Sequence, residues 1–203
     1  NPETTFIILG VTFQYNSNTT TKTNTDLETL VNATISDYNT DNLKDFNRPF
    51  RHSQLTGLID NTDTSILSNV TTVTLAKLIT PTTTAETAYT LSFNNAFYNP
   101  HSGHKATDGG IVASTGFFID SASTEYFFDE DGEGNLRIYY LVAGVRTYYD
   151  SLAGTIDYTN GVIKINPVKI TSVSDVDDSS STQFRLTVIP NEASPIISAI
   201  PPK

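Results

Sequence analysis

The chain has 203 residues, a formal net charge of −10 and no cysteine. Asp and Glu outnumber Lys and Arg by 22 to 12, which argues against a protein that binds the nucleic-acid backbone. The lack of cysteine excludes disulfides, thiolate zinc sites and cysteine nucleophiles, and no apolar run approaches the roughly 20 residues that a membrane helix needs.

Small polar residues dominate the rest of the composition: 32 Thr, 18 Ser and 17 Asn make up about a third of the chain. Thr favours strands, whereas Asn and Ser favour turns. The sequence therefore predicts an α+β fold that is mainly β. We expect a small mixed α/β segment at 1–80, followed by a β-rich antiparallel segment at 81–203.

The first predicted element is a buried strand at 6–13, where apolar and β-branched residues surround Gly10. It begins so close to the first residue that we interpret the chain as a fragment of a longer protein. The apolar, proline-bounded tail at 195–203 is consistent with this interpretation, as a strand or connector whose partner lies elsewhere.

Two helices are predicted next, at 25–38 and 53–60. The first has one apolar stripe at helical spacing and the capping-box pair Thr25 and Glu28, and a polar break follows at 39–47. Ser53 is the predicted cap of the second helix. The apolar side chains of the first helix and of the following strand are the candidate interface residues: Leu27, Leu30, Val31, Ile35, Tyr38, Val73 and Leu75.

From residue 69 onward the pattern predicts strands. We expect 70–79 to pair with 88–97, and 168–173 with 184–189. Further strands are predicted at 111–114, 116–119, 126–128 and 136–142, the last two flanking an acidic turn at 129–135.

The clearest predicted hairpin is 155–165, around the dipeptide Asn160-Gly161. This dipeptide is typical of a two-residue type I′ turn. That loop length would place Asp157 opposite Lys164 on one face, with Ile156 opposite Ile165 on the other.

Two clusters have the residue types of a metal site. His101, His104 and Asp108 offer ligands that zinc accepts, but Pro and Gly around them favour a flexible loop. The turn at 129–135 offers carboxylates to calcium, but it lacks the EF-hand pattern, and a solvated acidic turn that discourages edge pairing is the commoner structure. We predict no metal and no cofactor, with weak cation binding at the turn as an open alternative.

Catalytic patterns are absent from the sequence. There is no Gly-x-Ser-x-Gly elbow, no phosphate-binding glycine motif and no organised acid pair, and His52 is interpreted as a residue at a helix start. We therefore predict a non-enzyme without a small-molecule substrate. The aromatic strands offer an alternative function, a carbohydrate- or receptor-binding module of a tail, through Phe117, Phe118, Tyr126, Phe127, Phe128, Tyr139, Tyr140, Tyr148 and Tyr149.

The N-terminal region resembles the T-even-like bacteriophage baseplate wedge subunit, which is related to the baseplate J-like proteins of contractile tails. The resemblance is carried by Asp26-Leu27-Glu28, Leu30-Val31, Ile35-Ser36-Asp37-Tyr38-Asn39-Thr40, Asn42-Leu43, Phe46, Phe50-Arg51, Ser53, Leu55, Leu58-Ile59-Asp60 and Ser68-Asn69-Val70-Thr71-Thr72-Val73. Beyond residue 79, only Gly154-Thr155-Ile156-Asp157-Tyr158 and Asn160-Gly161 have a similar character.

This resemblance implies a structural component of the virion tail baseplate, assembled in the bacterial host cytoplasm. It implies a homodimer that links neighbouring wedges into a ring and contacts other wedge proteins. It brings no catalytic residues, and we expect no nucleic-acid, membrane or small-molecule partner.

Overall fold

The computed structural model describes residues 4–44, 48–121, 123–177 and 179–191. It is mostly β, with antiparallel sheets and two helices near the N-terminus, which confirms the predicted α+β, mainly β fold class. The elements in chain order are β1 (Phe6–Tyr15), α1 (Asn24–Asn42), α2 (His52–Asp60), β2 (Ile66–Ile79), β3 (Thr87–Ser92), β4 (Val112–Ser114), β5 (Phe117–Ile119), β6 (Glu125–Glu130), β7 (Asn135–Val142), β8 (Val145–Asp157), β9 (Val162–Val168), β10 (Ile170–Val173) and β11 (Phe184–Val188).

The described residues divide into two compact units. The helical unit contains 9–73, and the β unit contains 74–191 together with 4–8. The domain boundary that the sequence suggests near residue 80 stays a prediction, because a compact unit is not a test of independent folding.

The capping prediction for α1 is wrong by two residues. Thr23 is the N-cap, and it forms a reciprocal capping box with Asp26 rather than Thr25 with Glu28. The helix also continues to Asn42, past the predicted end at residue 38. In this last part of the helix, polar side chains donate hydrogen bonds to backbone carbonyls of the preceding turn. Thr40 Oγ1 donates to Ser36 O at 3.0 Å, and Asn42 Nδ2 donates to Tyr38 O at 3.1 Å.

The second helix begins at His52, close to the predicted start, but Ser53 is not its cap. Arg51 is the N-cap, and its side chain makes no capping hydrogen bond. The two helices contact each other, and each buries apolar side chains: Leu27 and Val31 on α1, Leu55 and Ile59 on α2. Burying these side chains provides the main stabilisation of so polar a helix pair.

Tyr38 joins the end of α1 to the segment before α2. Its ring meets Phe50 edge-on with centroids 6.0 Å apart, and its hydroxyl accepts a hydrogen bond from Arg51 N at 2.9 Å. A buried tyrosine hydroxyl needs a polar partner, and this backbone amide provides it.

The first strand differs most from expectation. The sequence predicts a buried strand at 6–13, yet no residue of β1 is buried: exposed and half-buried side chains alternate along all ten residues. The apolar composition of β1 is therefore not explained by burial in the core of this chain.

Two of the strand pairs predicted from the sequence, 70–79 with 88–97 and 168–173 with 184–189, are wrong. Residues 75–79 of β2 pair with β11 rather than with 88–97, and β11 also pairs with β4. The other sheet has the order β10-β5-β6-β7-β8-β9-β3, so β3 pairs with β9, and β10 pairs with β5 rather than with 184–189. Pairing between distant strands leaves no local pattern by which the partner can be chosen.

Phenylalanines fill the core of the β unit. The rings of Phe117 and Phe128 stack with centroids 4.6 Å apart, and Phe184 lies 5.9 Å from both. All three are fully buried. Two of these rings come from predicted strands, Phe117 in β5 and Phe128 in β6. The four strands predicted at 111–114, 116–119, 126–128 and 136–142 occur as β4, β5, β6 and β7.

The hairpin at 155–165 is present, but its predicted register is wrong. Ile156 pairs with Ile163 and Asp157 with Val162, so the loop has four residues and Asp157 is not opposite Lys164. Because the shift is two residues, Ile156, Ile163 and Ile165 still face the core. The two-residue turn occurs instead between β7 and β8, where Ala143 and Gly144 both have positive φ.

Two turn glycines give a matched pair of substitutions. Gly144 and Gly161 both have positive φ, but a Cβ at Gly144 would meet nothing within 4 Å, whereas one at Gly161 would lie 1.7 Å from Asn95 O. We expect Gly144→Ala to cost about 1 kcal/mol through the backbone alone. Gly161→Ala is expected to cost about 3 kcal/mol, because the Asn95 segment must also move.

Urea denaturation of the two variants measures this difference. Equal losses of stability would contradict the close approach of the 160–161 turn to Asn95.

Candidate functional site

The structure places the seven sequence-predicted interface residues in two environments. Leu27, Val31, Tyr38 and Leu75 are buried within the chain, where they contribute to its own core. Leu30, Ile35 and Val73 are half-buried. Contact of these last three residues with a partner stays a prediction.

A different apolar surface is accessible on β1. Phe6 and Ile8 are exposed, and β1 is the last strand in its sheet order, with β2 on one side and no strand of the described residues on the other. None of its ten residues is charged. Long, uncharged, apolar edge strands are uncommon on monomeric proteins, because their free backbone groups can pair with another strand.

The acidic turn is more ordered than a solvated loop. The prediction of solvated like charges is wrong for Asp129 and Glu130, each of which is only 1% exposed. Asp129 lies opposite Arg137 in the β6–β7 pair. Its Oδ1 accepts from Arg137 Nε at 2.9 Å, and its Oδ2 accepts from Tyr148 OH at 3.1 Å, with Arg146 NH1 3.7 Å away.

Burial raises the pKa of Asp129 above its ordinary value, although the hydrogen bond and charge of Arg137, the hydrogen bond of Tyr148 and the charge of Arg146 all act to lower it. The Arg137 guanidinium also lies over the ring of Tyr148 at 4.2 Å, and Arg146 lies over Tyr139 at 5.0 Å. Carboxylate, guanidinium groups and rings thus form one interlocked cluster.

The Glu130 side chain forms hydrogen bonds with both the end of the 99–111 loop and the acidic turn. Its Oε1 accepts from Ile111 N at 2.8 Å, and its Oε2 accepts from Gly132 N and Tyr158 OH, each at 2.6 Å. Burial, followed by the hydrogen bond to Glu130, raises the pKa of Tyr158. Because the protein supplies its polar partners, the Glu130 carboxylate stabilises the loop at 99–111, where the sequence predicts a flexible loop around His101 and His104.

The two histidines of that loop lie side by side. The rings of His101 and His104 are 5.3 Å apart and perpendicular, and Tyr98 packs on His104 at 4.7 Å. Asp108 belongs to a short 3-10 helix at Ala106–Asp108. Across the described ranges, no three His, Asp or Glu side chains are grouped so that they could hold a metal ion.

The aromatic side chains named in the alternative prediction lie in several environments, and Phe117 and Phe128 are buried in the core. Tyr139 stacks on Phe127 at 5.5 Å and is also covered by Arg146, so its ring is largely occupied. Tyr126 contacts Tyr140 and Tyr149 edge-on, at 5.7 and 5.1 Å, and Tyr149 is exposed. His52, in contrast, has a structural contact: its Nε2 lies 2.8 Å from Thr71 O.

Comparison with known proteins adds one finding. Residues 3–78 match the family model described as baseplate structural protein gp6, C-terminal domain III. This match supports a phage baseplate protein. The matched part holds β1, α1, α2 and nearly all of β2, and it is less than half of the 203-residue chain. Among curated proteins, no match to the chain was found.

Neither helix in the described part of the chain has the length and apolarity needed to cross a membrane.

The buried carboxylate gives a pH test. A carboxyl whose pKa is raised on folding binds more protons in the folded state, so the stability it contributes falls as pH rises from its ordinary value of 3.8 through the raised value. We expect Asp129→Asn to remove this fall, seen as a flatter dependence of the unfolding free energy on pH above about 4.

Asp157→Asn is the control, because the hydrogen bonds from Asn160 lower the pKa of Asp157. The stability that Asp157 contributes is therefore fully present above its ordinary pKa of 3.8 and is lost as pH falls below that value. An unchanged slope in Asp129→Asn would contradict the effect of burial on Asp129.

Proposed function

We propose that this protein is a structural component of a contractile-tail baseplate wedge, which self-associates and links neighbouring wedges into a ring. The observation that carries the proposal is the match of residues 3–78 to a domain of a baseplate structural protein. The proposed location is the virion tail baseplate, after assembly in the host cytoplasm. The proposed partners are a second copy of the chain and other wedge proteins.

The β1 edge supports the self-association part of the proposal. A second β1 running antiparallel would satisfy the free backbone groups of both edges and place side chains of the partner strand beside Phe6 and Ile8. Such a contact is isologous, because each copy contributes the same strand.

Charge favours this strand over the rest of the surface for contact between copies. Two copies with a net charge of −10 each repel one another. A strand without charged residues brings no like charges into the contact itself. Permanent interfaces bury about 2,000 Å² or more in total.

A non-enzymatic role is part of the proposal. The buried carboxylates, Asp129 and Glu130, accept hydrogen bonds from Arg137, Tyr148, Tyr158 and backbone amides, which is a structural use of both groups. No small-molecule substrate, nucleic acid or membrane is among the proposed partners.

Sedimentation velocity tests the β1 contact. We expect the wild-type chain to sediment as a dimer at tens of micromolar, and Ile8→Lys to sediment as a monomer, because each copy would bring a charge into an otherwise uncharged contact. Leu58→Lys is the matched control: Leu58 is an exposed leucine on α2, outside β1. A wild-type chain that stays monomeric at high concentration would refute self-association.

A further inference from the structure

The end of the β7–β8 hairpin exposes several large apolar side chains on one face. Val142 and Val145 are opposite each other beside the turn, and Val145 is 67% exposed. Tyr140 lies two residues before Val142 and therefore on the same face. Its ring and that of Tyr149 both contact Tyr126. We call these five residues, Tyr126, Tyr140, Val142, Val145 and Tyr149, the tip surface.

A cleft adjoins the tip surface at Tyr149. Its volume is about 180 Å³, and its apolar lining includes the buried side chains of Ile119, Ile138 and Ala153. Cofactors and drug-sized ligands occupy pockets of roughly 300–1,000 Å³. This cleft is therefore too small for such a molecule, but it is large enough for a single side chain.

The polar lining of the cleft is mainly acidic. Glu86, Asp120 and Asp150 contribute three carboxylates, and Lys169 contributes one ammonium group, 3.6 Å from Asp120. No ion pair to Glu86 or Asp150 occurs within the described ranges. The charge of the cleft thus complements a cation, and the exposed ring of Tyr149 offers it a π face.

From this charge and shape we infer that the tip surface and the cleft bind an extended segment of a different protein. Apolar side chains of that segment cover Tyr140, Val142 and Val145, and a Lys or Arg side chain enters the cleft beside Tyr149 and Asp150. The inference rests on the proposed function, since it identifies the chemistry of a baseplate partner.

A second copy of the chain does not fit this surface. A symmetric contact through the cleft would bring the three carboxylates of one copy against those of the other, on chains that each carry a net charge of −10. A symmetric dimer through this surface is therefore unfavourable, and we assign the basic segment to another polypeptide.

Calorimetric titration with blocked hexapeptides tests the inference. The probes alternate valine with lysine, serine with lysine, or valine with glutamate, so that apolar and charged contributions are measured separately. We expect the valine–lysine peptide to bind most tightly and the valine–glutamate peptide not to bind. Tyr149→Ala and Asp150→Asn should each lower the affinity for the valine–lysine peptide about fivefold.

Asp37→Asn is the charge-matched control, because it removes the same charge from the exposed surface of α1. It should leave peptide binding unchanged, and circular dichroism checks that each variant is folded. Equal binding of the valine–lysine and serine–lysine peptides, or equal losses in Asp37→Asn and Asp150→Asn, would overturn the inference, since general attraction to an acidic protein would then explain the binding.

Two other outcomes would also overturn it. One is saturable binding of an N-acetylglucosamine oligomer, lost in Tyr149→Ala, without peptide binding. The other is dissociation of the dimer by Tyr149→Ala. If the peptide binds but the wild-type chain stays monomeric, only the self-association part of the proposed function fails; if the dimer forms and no peptide binds, only the inference about the tip surface fails.

Discussion

The β unit depends on two neighbouring carboxylates that have lost nearly all contact with water. Asp129 and Glu130 are tolerated in the interior because Arg137, Tyr148, Tyr158 and the amides of Ile111 and Gly132 supply their hydrogen bonds. Removing any of these donors would leave part of a buried charge unsatisfied, which costs more than the hydrogen bond contributes. The same interactions fix the 99–111 loop and orient the hairpin that carries the tip surface.

Much of the fold was predictable where a pattern is local. The helical spacing of Leu27, Val31 and Tyr38 predicts α1, and short runs of apolar and β-branched residues predict most strands of the β unit, because both depend on near neighbours in sequence. Partners and registers were not predictable in the same way. The turn dipeptide Asn160-Gly161 suggested a two-residue loop, yet the Gly161 carbonyl accepts from Phe93 N at 2.9 Å, a contact made by a distant segment.

The candidate site was less predictable than the fold. Apolar spacing cannot tell a side chain that packs inside its own chain, such as Leu27, from one left for a partner, and the exposure of β1 follows only from the strand order. One signal for the buried cluster was present in the sequence. Asp129 and Arg137 flank the acidic turn at the spacing of opposed residues in a hairpin, which predicts an ion pair between β6 and β7.

The lack of charge along β1 has a consequence for how contacts of this protein respond to ionic strength. Dissolved ions screen exposed charges beyond about 10 Å at 0.1 M salt but leave apolar and backbone contacts intact. An association made through β1 would persist in concentrated salt, whereas binding of a cation in the acidic cleft would weaken steadily. Salt therefore separates the two kinds of contact without altering a single residue.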